Sequence, residues 1–321
     1  MLDTVMDAVP GPTASPSERD AFLRDATAGL LASPKRLPGK YLWDETGSIL
    51  FDRICDHADY YPTGCERALL PSVARDIADL LGPGATIVEF GSGASRKIRA
   101  LFDALDRPSR YVAIDISQQY LEASVERLRP DYPAIEMITL CADYSGPVRL
   151  PIVPDGPVLG FFPGPTIGNC LPHEAEALLA RARETLGPSR FLIGADPTQD
   201  AESLRRAYGG CDGLMSAFHL NVLERLRREL GARIDGDAFT HEARILRDPF
   251  RMEAHLVAAR PTTWQLGGKT ITFAAGESIR TDTSHKYEPK AFQALAGRAG
   301  WVAERLWLDP DERFGLHLLR A

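Results

Sequence analysis

"IVEFGSGASRK", residues 87–97, decides the fold of this 321-residue chain. Ile87–Phe90 reads as a buried strand, and it runs directly into Gly91 and Gly93. Strand, glycine turn and helix in that order open a doubly wound α/β sheet, in which ligands bind outside the carboxyl ends of the strands. The turn ends on Arg96 and Lys97, at the start of the helical stretch "RKIRALFDAL". Cations are unfavourable there, because a helix N-terminus already carries partial positive charge. A negative group is therefore expected beside them.

Outward from this unit, short apolar segments alternate with helical ones. Tyr111–Ile114, Ile135–Leu140, Pro157–Phe162 and Arg190–Ile193 read as further strands, separated by "SQQYLEASVERLRP", with Ser117 as N-cap, and "HEAEALLARARETLG". Near-continuous apolar strands between amphipathic helices mean a parallel sheet covered on both faces. After Asp200 the pattern changes. "CDGLMSAFHLNVLERLRRELG" reads as one long helix ending at Gly231, and "EARILRD", "MEAHLVAAR" and "TTWQLGGKTITF" read as antiparallel strands, with Gly267-Gly268 a primed hairpin turn. A helix in "PKAFQALAGRAG" and two strands around the turn "PDER" close the chain.

The expected architecture is thus a Rossmann-like α/β domain with a C-terminal antiparallel hairpin, interrupted after its fifth strand by a smaller α+β unit. The boundaries read as a disordered lead over 1–16, a ligand-capping unit over 17–66 and 200–286, and the α/β domain over 67–199 and 287–321. A cleft between two such units is a preferred ligand site.

Composition narrows the function. A net charge of −7 argues against nucleic acid, which requires a clustered basic surface. No apolar run approaches the roughly 20 residues of a membrane helix, and the acidic start lacks the basic and apolar parts of a secretory signal. The five cysteines form no C-x-x-C pair, and the seven histidines show no ligand spacing. A reducing cytoplasm is expected, and no metal.

A dinucleotide loop needs G-x-G-x-x-G, but the third glycine position here holds Arg96. That counts against a nicotinamide or flavin oxidoreductase. Glu89 before the loop and Lys97 after it suit a ligand with both an ammonium and a carboxylate, as in S-adenosylmethionine. Asp115, 24 residues after Gly91, ends the second strand where a carboxylate accepts from ribose hydroxyls. Asp143 follows the third strand, within reach of an adenine amino group, with Tyr144 beside the base.

The segments "KYLWDETGSILFDRICDHADYYPT", "VEFGSGASRK", "TIGN", "RAYGGCDGLMSAF" and "GESIRTDTSHKY" resemble the S-adenosylmethionine-dependent histidine Nα-methyltransferases of ergothioneine biosynthesis. The likeness runs from about residue 20 to the C-terminus. It implies a class I methyltransferase domain over 67–199 and 287–321 with a substrate-binding domain over 17–66 and 200–286, and that Gly91, Lys97, Asp115, Asp143 and Tyr144 contact the methyl donor. Tyr60, Asn169 and Tyr208 would hold the substrate's amino and carboxylate groups and so act in catalysis, while Asp282 and Ser284 would read the imidazole. Tyr61 reads as packing, and Cys65 as an inert small residue.

The substrate end departs from the family pattern. Asp282 stands in place of a glutamate, Ala254 in place of a methionine and Trp43 in place of a tyrosine. A tryptophan face favours a methylated ammonium. The first two changes enlarge one end of the pocket, so free histidine and another amino acid, such as tryptophan or tyrosine, both remain open, as does a histidine derivative. A non-catalytic ligand sensor would not need the Asn169, Tyr60 and Tyr208 set.

Overall fold

In the computed structural model, which describes residues 16–321, the chain starts with α1 (Pro16–Leu31), the short strand β1 (Lys35–Arg36), α2 (Glu45–Cys55) and α3 (Tyr61–Leu81). The lead expected over 1–16 lies outside the described residues, apart from Pro16, which begins α1. Alternation follows through β2 (Thr86–Phe90), α4 (Ile98–Ala104), β3 (Arg110–Asp115), α5 (Gln118–Glu126), β4 (Glu136–Cys141), β5 (Val158–Phe162), α6 (Pro172–Leu186) and β6 (Arg190–Ala195). Next come α7 (Ala201–Gly209), α8 (Leu214–Leu230), β7 (Phe239–Arg247), β8 (Phe250–Ala258), β9 (Thr262–Leu266), β10 (Lys269–Phe273) and β11 (Ser278–His285). The chain ends with α9 (Pro289–Arg298), β12 (Val302–Leu308) and β13 (Gly315–Arg320).

Seven strands form one sheet in the order β12-β13-β6-β5-β2-β3-β4. β2 and β5 are buried along their whole length and, apart from Thr86 and Glu89 of β2, apolar, as strands covered on both faces are. Ile87, Tyr111 and Phe161 join the apolar cluster on one face, while Val88, Phe90 and Ile193 pack toward α6 and α9 on the other. Strand order reverses between β2 and β5, so the carboxyl ends of β2, β3 and β5 diverge there and leave a crevice. The final hairpin inserts β13 antiparallel to β6, the C-terminal antiparallel hairpin expected of this Rossmann-like sheet.

A second sheet, β1-β11-β8-β7, is built from the amino-terminal region and residues 239–285. β9 and β10 pair around Gly267 and Gly268, whose φ angles of 55° and 74° are those of the primed turn expected there. Three local expectations change. The single helix expected from Cys211 is preceded by α7, and positive φ at Cys211, Asp212 and Gly213 breaks the two apart. Asp200 caps α7 by accepting from the Glu202 and Ser203 backbone amides. Ser117 stands at the N-cap of α5, but its hydroxyl donates to the Trp43 carbonyl instead of capping the helix. Finally, α3 runs unbroken through the boundary placed between 66 and 67.

Candidate active site

The crevice at the strand ends is a cavity walled below by the β2 loop, Asp115 and Asn169, and above by α2, α8, β8 and β11. At its floor Gly91 adopts φ 70°, and a methyl group placed on it would lie 3.2 Å from the Tyr144 hydroxyl oxygen. Only glycine gives that backbone both its conformation and its clearance. Tyr144 is itself held edge-on by Phe90 and Phe162.

Glu89, next to last in β2, is almost wholly buried. One of its oxygens accepts from the Tyr111 hydroxyl, and the other has no partner among the described residues. Burial pushes its pKa up to about 8, against the opposing effects of the Tyr111 bond and Lys97. A buried acceptor without a donor is costly, and a ligand ammonium would relieve it. Asp115 is better satisfied: it accepts from the Gly93 amide at 3.0 Å and from the Ser117 amide at 3.0 Å, while burial raises its pKa.

The question raised by the two cations has a partly internal answer. Arg96 meets Asp56 at 3.0 Å and Asp52 at 4.0 Å, both near the carboxyl half of α2. Lys97 pairs with the fully buried Glu66 of α3, whose second carboxylate oxygen takes the Gly164 amide at 2.8 Å. An ammonium has three donors, so this pair does not exhaust Lys97, which still lines the cavity.

The same cavity is also lined by Tyr60, Asn169, Tyr208, Asp282 and Trp43. Tyr60 immediately precedes α3, and its ring lies edge-on to Tyr208 at 5.9 Å. Asn169 closes the 3-10 turn Thr166–Asn169, and Gly168 seats that turn against β11. A methyl group on Gly168 would lie 2.5 Å from the His285 carbonyl oxygen, so only glycine permits this approach. Trp43 packs edge-on against Phe51 at 4.9 Å and Phe218 at 5.3 Å.

Asp282 is pushed up to about 7 by burial, although the Thr283 amide donates to it. Its folded pKa lies above its unfolded value, so between about pH 4 and pH 7 the folded state holds a proton that the unfolded chain has released. Asp282 therefore destabilises the empty enzyme progressively as pH rises through that window. Asp282→Asn is expected to stabilise the folded state increasingly from about pH 5 to about pH 8, by about 1–2 kcal/mol at the upper end, because the cavity side of the carboxylate is partly solvated. Calorimetric melting at the two pH values checks this; an equal change at both would mean the carboxyl is not perturbed.

Two expected site residues do not reach the cavity wall. Asp143 is turned to its own loop, accepting from the Ser145 amide, with Lys40 at 3.8 Å. Ser284 lies buried behind Tyr208, 3.2 Å from its hydroxyl. Ala254 is also fully buried and off the wall, so its small side chain opens no space there; Met252, the next position on the same face of β8, lines the cavity instead. Tyr61 does more than pack, because its hydroxyl donates to Asp196 at 2.6 Å. Cys65 is pushed up to about 12 by burial and by Asp309, so it carries no thiolate near neutrality. Sequence reasoning missed Phe51, Met215, Phe218 and His219 on the wall. The last three lie within the apolar face of α8, which looks like any core-facing helix.

Comparison with known proteins accords with this geometry. The family described as "Histidine-specific methyltransferase, SAM-dependent" matches residues 22–321. The histidine N-alpha-methyltransferase of Mycolicibacterium smegmatis is 36% identical over 312 residues, covering 95% of this chain and 96% of that one. The enzyme of the same name from Mycobacterium tuberculosis is 36% identical, covering 93% of this chain and 94% of its own. Ergothioneine biosynthesis protein 1 of Neurospora crassa is 30% identical, covering 89% of this chain but 33% of that longer protein. With that match spanning nearly every described element, the chain belongs to the histidine-specific, S-adenosylmethionine-dependent methyltransferase family.

Proposed function

We propose that this enzyme methylates the α-amino nitrogen of free L-histidine, forming the trimethylated betaine used in ergothioneine synthesis. The observation that carries this reading is one continuous cavity with a zwitterion-binding floor, Glu89, Gly91, Lys97 and Asp115, facing an amino-acid set, Tyr60, Asn169, Tyr208 and Asp282. We assign donor binding to 67–199 and 287–321 and substrate capping to 17–66 and 200–286, with α3 continuous between the two, a cytoplasmic setting and small molecules as the only partners.

When bound, S-adenosylmethionine supplies a methyl group on a sulfonium, whose thioether leaving group needs no acid. The amine first loses a proton to solvent, because an ammonium has no lone pair, and the chain then has to align the uncharged amine and exclude water from the displacement. Asn169 would accept from the amine and leave its lone pair toward the donor. Tyr60 stays protonated, because burial and then Tyr208 and Cys55 hold its phenol well above the ordinary range, so it donates and does not act as a base. Burial holds Asp282 up to about 7 in the empty site, and an imidazolium bound beside it would favour its charged form. Trp43 offers an aromatic wall for the growing ammonium.

Calorimetry with S-adenosylhomocysteine and a panel of free amino acids tests the substrate. Histidine should bind selectively, and Asp282→Ala should weaken histidine about 30-fold while leaving S-adenosylhomocysteine within about threefold. Equal losses for both ligands would make Asp282 structural. Tighter binding of tryptophan or tyrosine would replace histidine as the substrate.

A further inference from the structure

Behind the amino-acid end of the cavity lies an ion pair with no solvent exposure on either side chain, Lys286 with Asp196 at 2.7 Å. Lys286 leaves the end of β11, and Asp196 follows β6, so the two sheets meet at this pair. The Lys286 ammonium also donates to the Tyr208 hydroxyl oxygen at 2.9 Å and to the Ser284 hydroxyl oxygen at 2.9 Å. It stands 4.5 Å from the centre of the Tyr208 ring.

An ammonium has three N–H donors and no lone pair. All three are used here, so the Tyr208 oxygen can only accept from Lys286. Its single O–H must then point away from the lysine. Ser284 lies in one such direction, at 3.2 Å, and the cavity lined by Tyr208 lies in the other.

The anion of the pair is turned from the cavity. One oxygen of Asp196 takes the Tyr61 hydroxyl at 2.6 Å as well as Lys286, and the other takes the Thr198 amide at 2.8 Å. Positive charge thus lies on the Tyr208 side of the pair and negative charge on the α3 side. Burial disfavours the charged lysine, yet Asp196 and Tyr208 hold its ammonium above the usual lysine range. Such a pair costs desolvation that an apolar pair of similar volume would avoid, so stability alone does not account for it.

We propose that Lys286, anchored by Asp196 and Tyr61, is a positioning residue that makes Tyr208 an obligate hydrogen-bond donor to the substrate's carboxylate. The enzyme thereby selects free α-amino acids over amines and esters carrying the same side chain. This rests on the functional reading above, in which Tyr208 belongs to the set that holds the substrate's amino and carboxylate groups. A site built around a polar partner rejects analogues lacking that partner strongly, because its own groups are then left unpaired.

The test compares kcat/KM for L-histidine, histamine and L-histidine methyl ester. The Asp196→Asn/Lys286→Met double variant removes both charges together, so neither is stranded. Wild-type enzyme should prefer histidine over histamine by at least about 100-fold. The double variant should lose about 30- to 100-fold on histidine, mainly through KM, while histamine turnover and S-adenosylhomocysteine affinity stay within about threefold. Tyr208→Phe, which leaves the ion pair in place, should show the same selective loss, and adding it to the double variant should cost little more. Equal losses on histidine and histamine, or a Tyr208→Phe enzyme that keeps its preference, would overturn the inference even if the double variant fails to fold. Wild-type enzyme inert toward histidine would overturn the functional reading and this inference with it.

Discussion

Asn169→Ala should lower kcat for histidine by about 10²- to 10³-fold while S-adenosylhomocysteine affinity stays within about threefold. The large effect follows from what the reaction requires. The α-ammonium must lose a proton to solvent before each transfer, but the displacement itself moves none, so the freed amine's direction relative to the methyl group carries most of the catalysis. Asn169 is fixed for that task by the 3-10 turn on which it sits and by the seating of Gly168 against the His285 backbone. Rapid-quench turnover and calorimetry on the same preparation separate the two quantities. A variant of wild-type kcat would remove Asn169 from the mechanism, and parallel loss of donor affinity would mean that the turn has collapsed.

Glu89→Gln should weaken S-adenosylhomocysteine by about 30- to 100-fold. In the empty enzyme Glu89, at about 8, is mostly protonated at neutral pH, so glutamine mimics the resting state and preserves the bond from Tyr111. Arrival of the ligand's ammonium should ionise the carboxyl. Binding by the wild type at about pH 7 should therefore release close to one proton, and binding by the variant none. Calorimetry in buffers of different ionisation enthalpy measures this directly. Wild-type affinity in the variant would show that the ammonium is held elsewhere.

The part of the candidate site at the ends of β2 and β3 was legible because it is local. β2, its glycines and the acid ending β3 lie within a short run of chain, and their types follow from burial on both faces and from backbone clearance. The β9–β10 turn was legible for the same reason, since paired glycines in a primed turn are a backbone requirement. The rest depends on contacts distant in sequence. Glu66 meets Lys97 from α3, and Lys286 meets Asp196 across the two sheets, so neither residue's own neighbourhood announces its partner. Tyr61, taken as packing, belongs to that second group. Asp143 and Ser284 show the converse: both occupy positions the family pattern marks, yet here they bond within the protein, to the Ser145 amide and to Lys286. The helix α7 was missed although Asp200, a residue that favours the N-cap, stood at its start.

The most direct measurement is mass and NMR analysis of the product formed from an equimolar mixture of free amino acids with S-adenosylmethionine. Histidine carrying methyl groups on its α-nitrogen alone is the predicted result. Methyl groups on a ring nitrogen, or on a different amino acid while histidine is untouched, would contradict it.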